Sequence, residues 1–113
     1  MDFPVYTEIF GIPHVIELVE RQKDVSEETN TAWGEIIYEQ RRIRIFSGIS
    51  DRDKLLVLFE EMLHGVLNNL DRDDLGGDHK FVTPVVNGLF TALEKAGMLK
   101  SICNYAGAQK KEM

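Results

Sequence analysis

The stretch Leu55 to Leu70, LLVLFEEMLHGVLNNL, limits what this chain can fold into more than any other. Leu55, Leu58, Phe59, Met62, Leu63, Val66, Leu67 and Leu70 recur at three- and four-residue steps, which lays one wide apolar face along an amphipathic helix. A face that wide has to be buried, so the rest of the chain must supply elements that pack on it. With 113 residues, 43% of them hydrophobic and 28% charged, the chain can do this within one domain. The helix start is also legible. Ser50 followed three residues later by Asp53 is a capping-box-like pair, and Asp51 and Asp53 suit the positive end of the helix dipole.

The same helix gathers ionisable side chains. Glu60 and His64 stand one turn apart and Glu61 stands three residues before His64, so all three lie on one side, at the margin of the apolar face. The five residues Glu60, Glu61, Met62, Leu63 and His64 are one residue away from HExxH, in which two His bind zinc from one helical face and the Glu between them acts on a metal-bound water. Glu60 occupies the place of the first His, and a carboxylate also ligates zinc. Read alone, the five residues more often mark an ordinary helix edge, with Glu60 and Glu61 solvated and His64 at the rim of the core.

Before the helix the chain reads as strands. Val5–Phe10 is β-branched and aromatic and is bounded by Pro4 and Gly11. His14–Glu20 reads as a second strand, with His14 beside Pro13 in an exposed or capping position. Residues 21–31 are polar and acidic and read as a surface loop. Residues 34–39 and 42–46 form an antiparallel hairpin, with Ile43 and Ile45 turned inward and Arg42 and Arg44 outward. After Leu70, residues 71–78 read as a solvated acidic loop. A second amphipathic helix then follows, with Val82, Val85, Val86, Leu89, Leu93 and Ala96 on one face, Pro84 near its start and Gly97 as its stop. The core spans about residues 5–99, and a polar tail runs from about 104 to 113.

Charge and composition narrow the function classes. A net charge of −6 is repelled by phosphate backbones and anionic membranes, so neither nucleic acid nor membrane is an expected partner. No apolar run is long enough to span a bilayer. One cysteine, Cys103, cannot form an internal disulfide, which fits a reducing cytoplasm.

Taken in order, strand pairs, a helix with the EExxH pentad, a short loop and a helix reading FVTPVVNGLFTALEKAG resemble the small zincin-like metallopeptidases of the ImmA/IrrE type. The resemblance is to the short forms encoded by bacteriophages and other mobile elements, and it covers about Val5 to Leu99. Leu55 to Phe59 match the leucine-rich lead-in, Glu61 the catalytic Glu, His64 and Gly65 the end of the motif, and Asn87, Gly88 and Leu89 the signature of the second helix. Counting back from that signature, His79 falls where the family has a Glu ligand, while Glu60 falls on its first His. The resemblance therefore implies a metal site of Glu60, His64 and His79, the ligand types being exchanged between two positions, for zinc or another divalent metal.

What it implies further is an α+β, zincin-like fold, with N-terminal antiparallel strands ahead of a motif-bearing helix and a second packed helix. It also implies hydrolysis of a peptide or protein substrate, with Glu61 as the base that takes a proton from the attacking water. Tyr38, His14 and Tyr105 are transition-state donors by residue type, and Arg42–Phe46 is the expected edge strand that holds an extended substrate. The alternative is a catalytically inactive domain of the same fold that binds a host or phage regulatory protein, through Trp33, Phe46 or the segment Met98–Ile102. Apolar residues near the C-terminus also allow a homodimer.

Overall fold

The computed structural model describes residues 3–25, 32–77 and 79–99. Four strands and three helices follow in chain order: β1 (Tyr6–Ile9), β2 (Ile12–Val19), β3 (Gly34–Ile37), β4 (Arg42–Phe46), α1 (Asp51–Asn69), α2 (Asp73–Gly76) and α3 (His79–Lys95). The fold is α+β, one mixed sheet in the order β1-β2-β4-β3 with α1 packed against it and α2 and α3 packed on α1.

Each hairpin follows from local chemistry. Phe10 and Gly11 both adopt left-handed backbone angles, φ 53° and 75°, as the two central residues between β1 and β2, the geometry of a tight primed turn. Between β3 and β4, Arg41 takes φ 51° after a single 3-10 turn at Tyr38–Gln40. The two hairpins then join side by side. β2 runs parallel to β4, with Ile16 opposite Ile43 and Leu18 opposite Ile45. The expectation of antiparallel strands therefore holds within each hairpin and fails at their junction. It follows that Arg42–Phe46 is not an edge strand, since it lies between β2 and β3; the terminal strand on this side of the sheet is β3.

Period-two alternation sorts β4 cleanly. Ile43 and Ile45 are completely buried, and with Ile16 they pack against Val57 and Leu58 of α1. Arg42 and Arg44 lie on the other face, where both pair with Glu17. Arg44 also reaches Glu35 at 3.3 Å and donates to the Asp24 backbone oxygen at 2.8 Å. These arginines therefore tie three segments together across the outer face.

α1 begins as its sequence requires. The Ser50 side chain accepts a hydrogen bond from the Asp53 backbone N–H at 3.1 Å, and Asp51 and Asp53 occupy the first turn. One side of α1 packs on the sheet and another on α3, where Leu67 meets Val82 and Val86 and Leu55 meets Phe90, with Leu99, past the end of α3, joining the last cluster. Phe59 and Phe90 cross edge to face with centroids 5.5 Å apart.

Two sequence expectations need correcting here. The buried stripe of α3 is Val82, Val86 and Phe90, whereas Val85 and Leu89 are 42% and 57% exposed. The apolar residues of α3 span more of its circumference than α1 can cover. The acidic stretch after α1 is not simply a solvated loop, because it contains α2, whose Leu75 packs against Leu67, Val82 and Val86. Gly97 ends α3 as expected, with φ 79° and its N–H donating to the Glu94 backbone oxygen at 3.1 Å.

Candidate functional site

α1 is bordered by two grooves, one polar and one apolar. The polar one is a cleft of about 240 Å3 between α1 and the start of β3, lined by Asp53, Glu60, Glu61 and His64 with Trp33 and Gly34 opposite. Helical spacing alone brings Glu60, Glu61 and His64 to this cleft, as the sequence implies.

The cleft exists because β3 and α1 approach closely, and Gly34 permits that approach. A Cβ at position 34 would lie 2.5 Å from Val57 Cγ1, 3.2 Å from the Arg44 backbone oxygen and 3.4 Å from Glu61 Cγ. Any side chain there would push the terminal strand off the helix at the Glu61 level. Gly34 is the residue that sequence reasoning misses. Its signal was a glycine at the very start of a strand, a position where close backbone approach is a known reason for glycine.

Glu61 has an unusual environment. It is 8% exposed, whereas Glu60 and His64 are half-buried. Burial, with the negative charges of Glu60 and Glu35 adding to it, pushes its carboxyl up to about 8 from an ordinary 4.5. Tyr38, just past the end of β3, is raised from its ordinary value, first by burial and then by the charges of Glu61 and Asp73. That places Tyr38 within electrostatic reach of Glu61, and Asp73 in turn accepts from Asn68 Nδ2 at 3.2 Å.

The other two donor candidates separate. His14 is 4% exposed and its Nδ1–H donates to the Ile12 backbone oxygen at 2.8 Å, so it is a core histidine of β2 rather than an exposed or capping one. The reason is strand phase: Ile12, His14 and Ile16 point the same way, inward. Tyr105 lies outside the described residues.

Of the expected metal ligands, Glu60 and His64 both line the cleft. His79 opens α3, and its side chain is outside the described part of the structure. Among the described residues, no group of three or more His, Cys, Asp or Glu side chains is placed to hold a metal ion. Nor is any described helix long and apolar enough to cross a membrane.

No family model, no curated protein and no solved structure matches this chain.

Proposed function

We propose that the polar cleft beside α1 is the active site of a zincin-like, metal-dependent peptidase of the ImmA/IrrE type, with Glu60, His64 and His79 as metal ligands and Glu61 as the general base. The observation that carries this reading is the convergence of Glu60, Glu61 and His64 on one cleft beneath the terminal strand β3. The donor set fits the chemistry. Two imidazoles and one carboxylate leave a coordination position for water, and zinc held there would supply carbonyl polarisation and an acidified water.

The chain's own residues do the rest. Glu61 is sequestered from solvent at the base of the cleft, within reach of the charges of Glu60 and Glu35, and a neighbouring positive charge would bring its carboxyl down to the range in which it accepts protons at neutral pH. Tyr38, just past the end of β3, is the transition-state donor in this reading. β3 takes over the role expected of Arg42–Phe46: an extended peptide pairing with the terminal strand would run alongside Gly34, the residue of β3 nearest Glu61. The substrate is a peptide or protein, the setting a reducing cytoplasm, and the source a phage or related element.

A second reading has its own support. Glu60 at the first ligand position and Trp33 exposed at the cleft mouth fit a domain of the same fold that binds a regulatory protein without cleaving it. Elemental analysis of the purified chain decides between them. The peptidase reading expects about one equivalent of zinc or a similar metal per chain, lost in a folded His64→Ala variant. It further expects Glu61→Gln to keep the metal and lose cleavage of an unstructured protein substrate. A chain that neither carries metal nor binds added zinc refutes the metal site and leaves the binding module.

A further inference from the structure

We propose that the polar cleft selects peptides by a basic side chain, with Asp53 taking the cation of a lysine or arginine whose hydrocarbon stem lies against the apolar lining of Leu56 and Trp33. This rests on the reading of the cleft as a peptide site and adds the residue that sets its specificity. The lining carries the carboxylates of Asp53, Glu60 and Glu61 and neither lysine nor arginine. The cations next to Asp53 in sequence are engaged elsewhere, Arg52 with Glu94 at 2.7 Å and Lys54 with Asp51 at 3.3 Å. Asp53 itself enters no ion pair with a described residue, and the α1 cap uses only its backbone N–H, so its carboxylate is left for a ligand.

Glu61 is an independent sign that the cleft is built for positive charge. It is 8% exposed, and no described residue gives its carboxyl a hydrogen bond or an ion pair. No buried polar side-chain atom among the described residues lacks a partner, so the Glu61 oxygens must be reached from the cleft that the residue lines. A carboxylate held out of bulk water beside other carboxylates is relieved by a positively charged ligand. The net charge of −6 adds a field that draws such ligands in.

Register places Asp53 where a substrate side chain would arrive. β3 advances along α1 in step with it, Gly34 lying against Val57 and Glu61, and Ile36 against Gly65. The residue before Gly34 therefore falls toward the first turns of α1, where Asp53 stands one turn ahead of Val57. That residue is Trp33, whose backbone oxygen accepts from the Phe46 N–H at 2.8 Å and so continues the ladder to the end of the cleft. Asp53 lies about 10 Å along the helix from Glu60, a span that an extended peptide covers in about three residues. A peptide paired with β3 turns alternate side chains to the α1 side, so one basic residue within that distance of the bond held at Glu60 and His64 meets Asp53.

Trp33 is the only tryptophan, and its fluorescence reports entry into the cleft. The probes are the blocked peptide Thr-Val-Thr-Lys-Val-Thr-Val and the same peptide with norleucine or glutamate in place of lysine, titrated into the full chain with a chelator present and little salt. The lysine peptide should bind about five- to tenfold more tightly than the norleucine peptide and the glutamate peptide most weakly, a spread that salt should compress. Asp53→Asn, which keeps the cap, should bring lysine and norleucine within about twofold, and Asp53→Lys should favour glutamate. Equal binding of the lysine and norleucine peptides overturns the proposal, as does a lysine preference that survives in folded Asp53→Asn or a Trp33 signal that none of the peptides alters. Failure of the peptidase reading looks different: no metal and no cleavage, with the Asp53-dependent preference intact. A chain that binds zinc and cleaves without regard to lysine refutes the basic subsite alone.

Discussion

Replacing Glu61 by Gln should stabilise the metal-free protein at neutral pH, against the usual expectation for a substitution at a buried polar position. The carboxyl sits near 8 in the folded chain and near 4.5 when unfolded. Below the lower value both states are protonated and Glu61 adds no pH dependence. Between the two, the folded chain keeps a proton that the unfolded chain has released, so each pH unit favours unfolding by about 1.4 kcal/mol. Above about 8 both states are ionised and the penalty is constant. Stability associated with the protonated group is thus complete at acid pH and is lost as pH rises toward 8. Integrated to pH 7, the loss is about 3 kcal/mol. It originates in taking a carboxylate out of water beside two others, which a neutral amide of the same shape avoids.

The assay is urea unfolding of parent and Glu61→Gln from pH 5 to 9, with a chelator present so that no cation offsets the charge. Taking the difference between the two curves cancels every group they share. That difference should grow with pH up to about 8, reaching about 3 kcal/mol at pH 7, which for a urea dependence of about 1–3 kcal/mol per molar moves the midpoint by roughly 1–3 M. A difference that stays flat across the range would show that Glu61 titrates as an ordinary surface carboxylate. A variant less stable than the parent at pH 8 would show that the carboxylate is held by favourable bonds.

Two backbone positions give further predictions. Gly34→Ala should cost about 1–3 kcal/mol in urea unfolding, because its Cβ would lie 2.5 Å from Val57 Cγ1, and adding Val57→Ala should recover part of that loss; additive losses would mean the contact is not the cause. Phe10→Gly should raise the thermal midpoint, since an exposed aromatic held at φ 53° gives up strain on the order of 1 kcal/mol; a lower midpoint would show that the ring packs in a way that outweighs it.

How far the sequence foretold this molecule depends on the range of the interaction concerned. α1, its Ser50 cap, the inward Ile43 and Ile45 and the Gly97 stop are set by neighbours within a few residues, and all are where local pattern puts them. The parallel junction of β2 and β4 is set by pairing Ile16 with Ile43 across an intervening strand, for which no local signal exists. The misplaced edge strand follows from that one omission, since Arg42–Phe46 becomes interior as soon as β2 docks beside it. α3 failed differently. Its apolar residues outnumber the positions α1 can cover, so period alone could not separate the buried Val86 and Phe90 from the exposed Val85 and Leu89. His14 shares its strand phase with Ile12 and Ile16, a stronger signal for burial than its adjacency to Pro13 is for exposure.

The candidate site divides along the same line. Glu60, Glu61 and His64 share the cleft because one helix carries them, so their grouping was readable from spacing alone. What spacing could not supply was the environment that makes Glu61 chemically distinct from Glu60, one residue away. That difference arises from Gly34, which lets β3 close over one carboxylate while its neighbour stays half-buried. The same contact gives the cleft an extended backbone along one wall. Gly34→Ala should therefore lower the Glu61 pKa as well as the stability, by admitting water where β3 is displaced. A parent-like slope of stability against pH in that variant would separate the strand's packing from the carboxyl's ionisation, and would locate the cause of the shift within α1 itself.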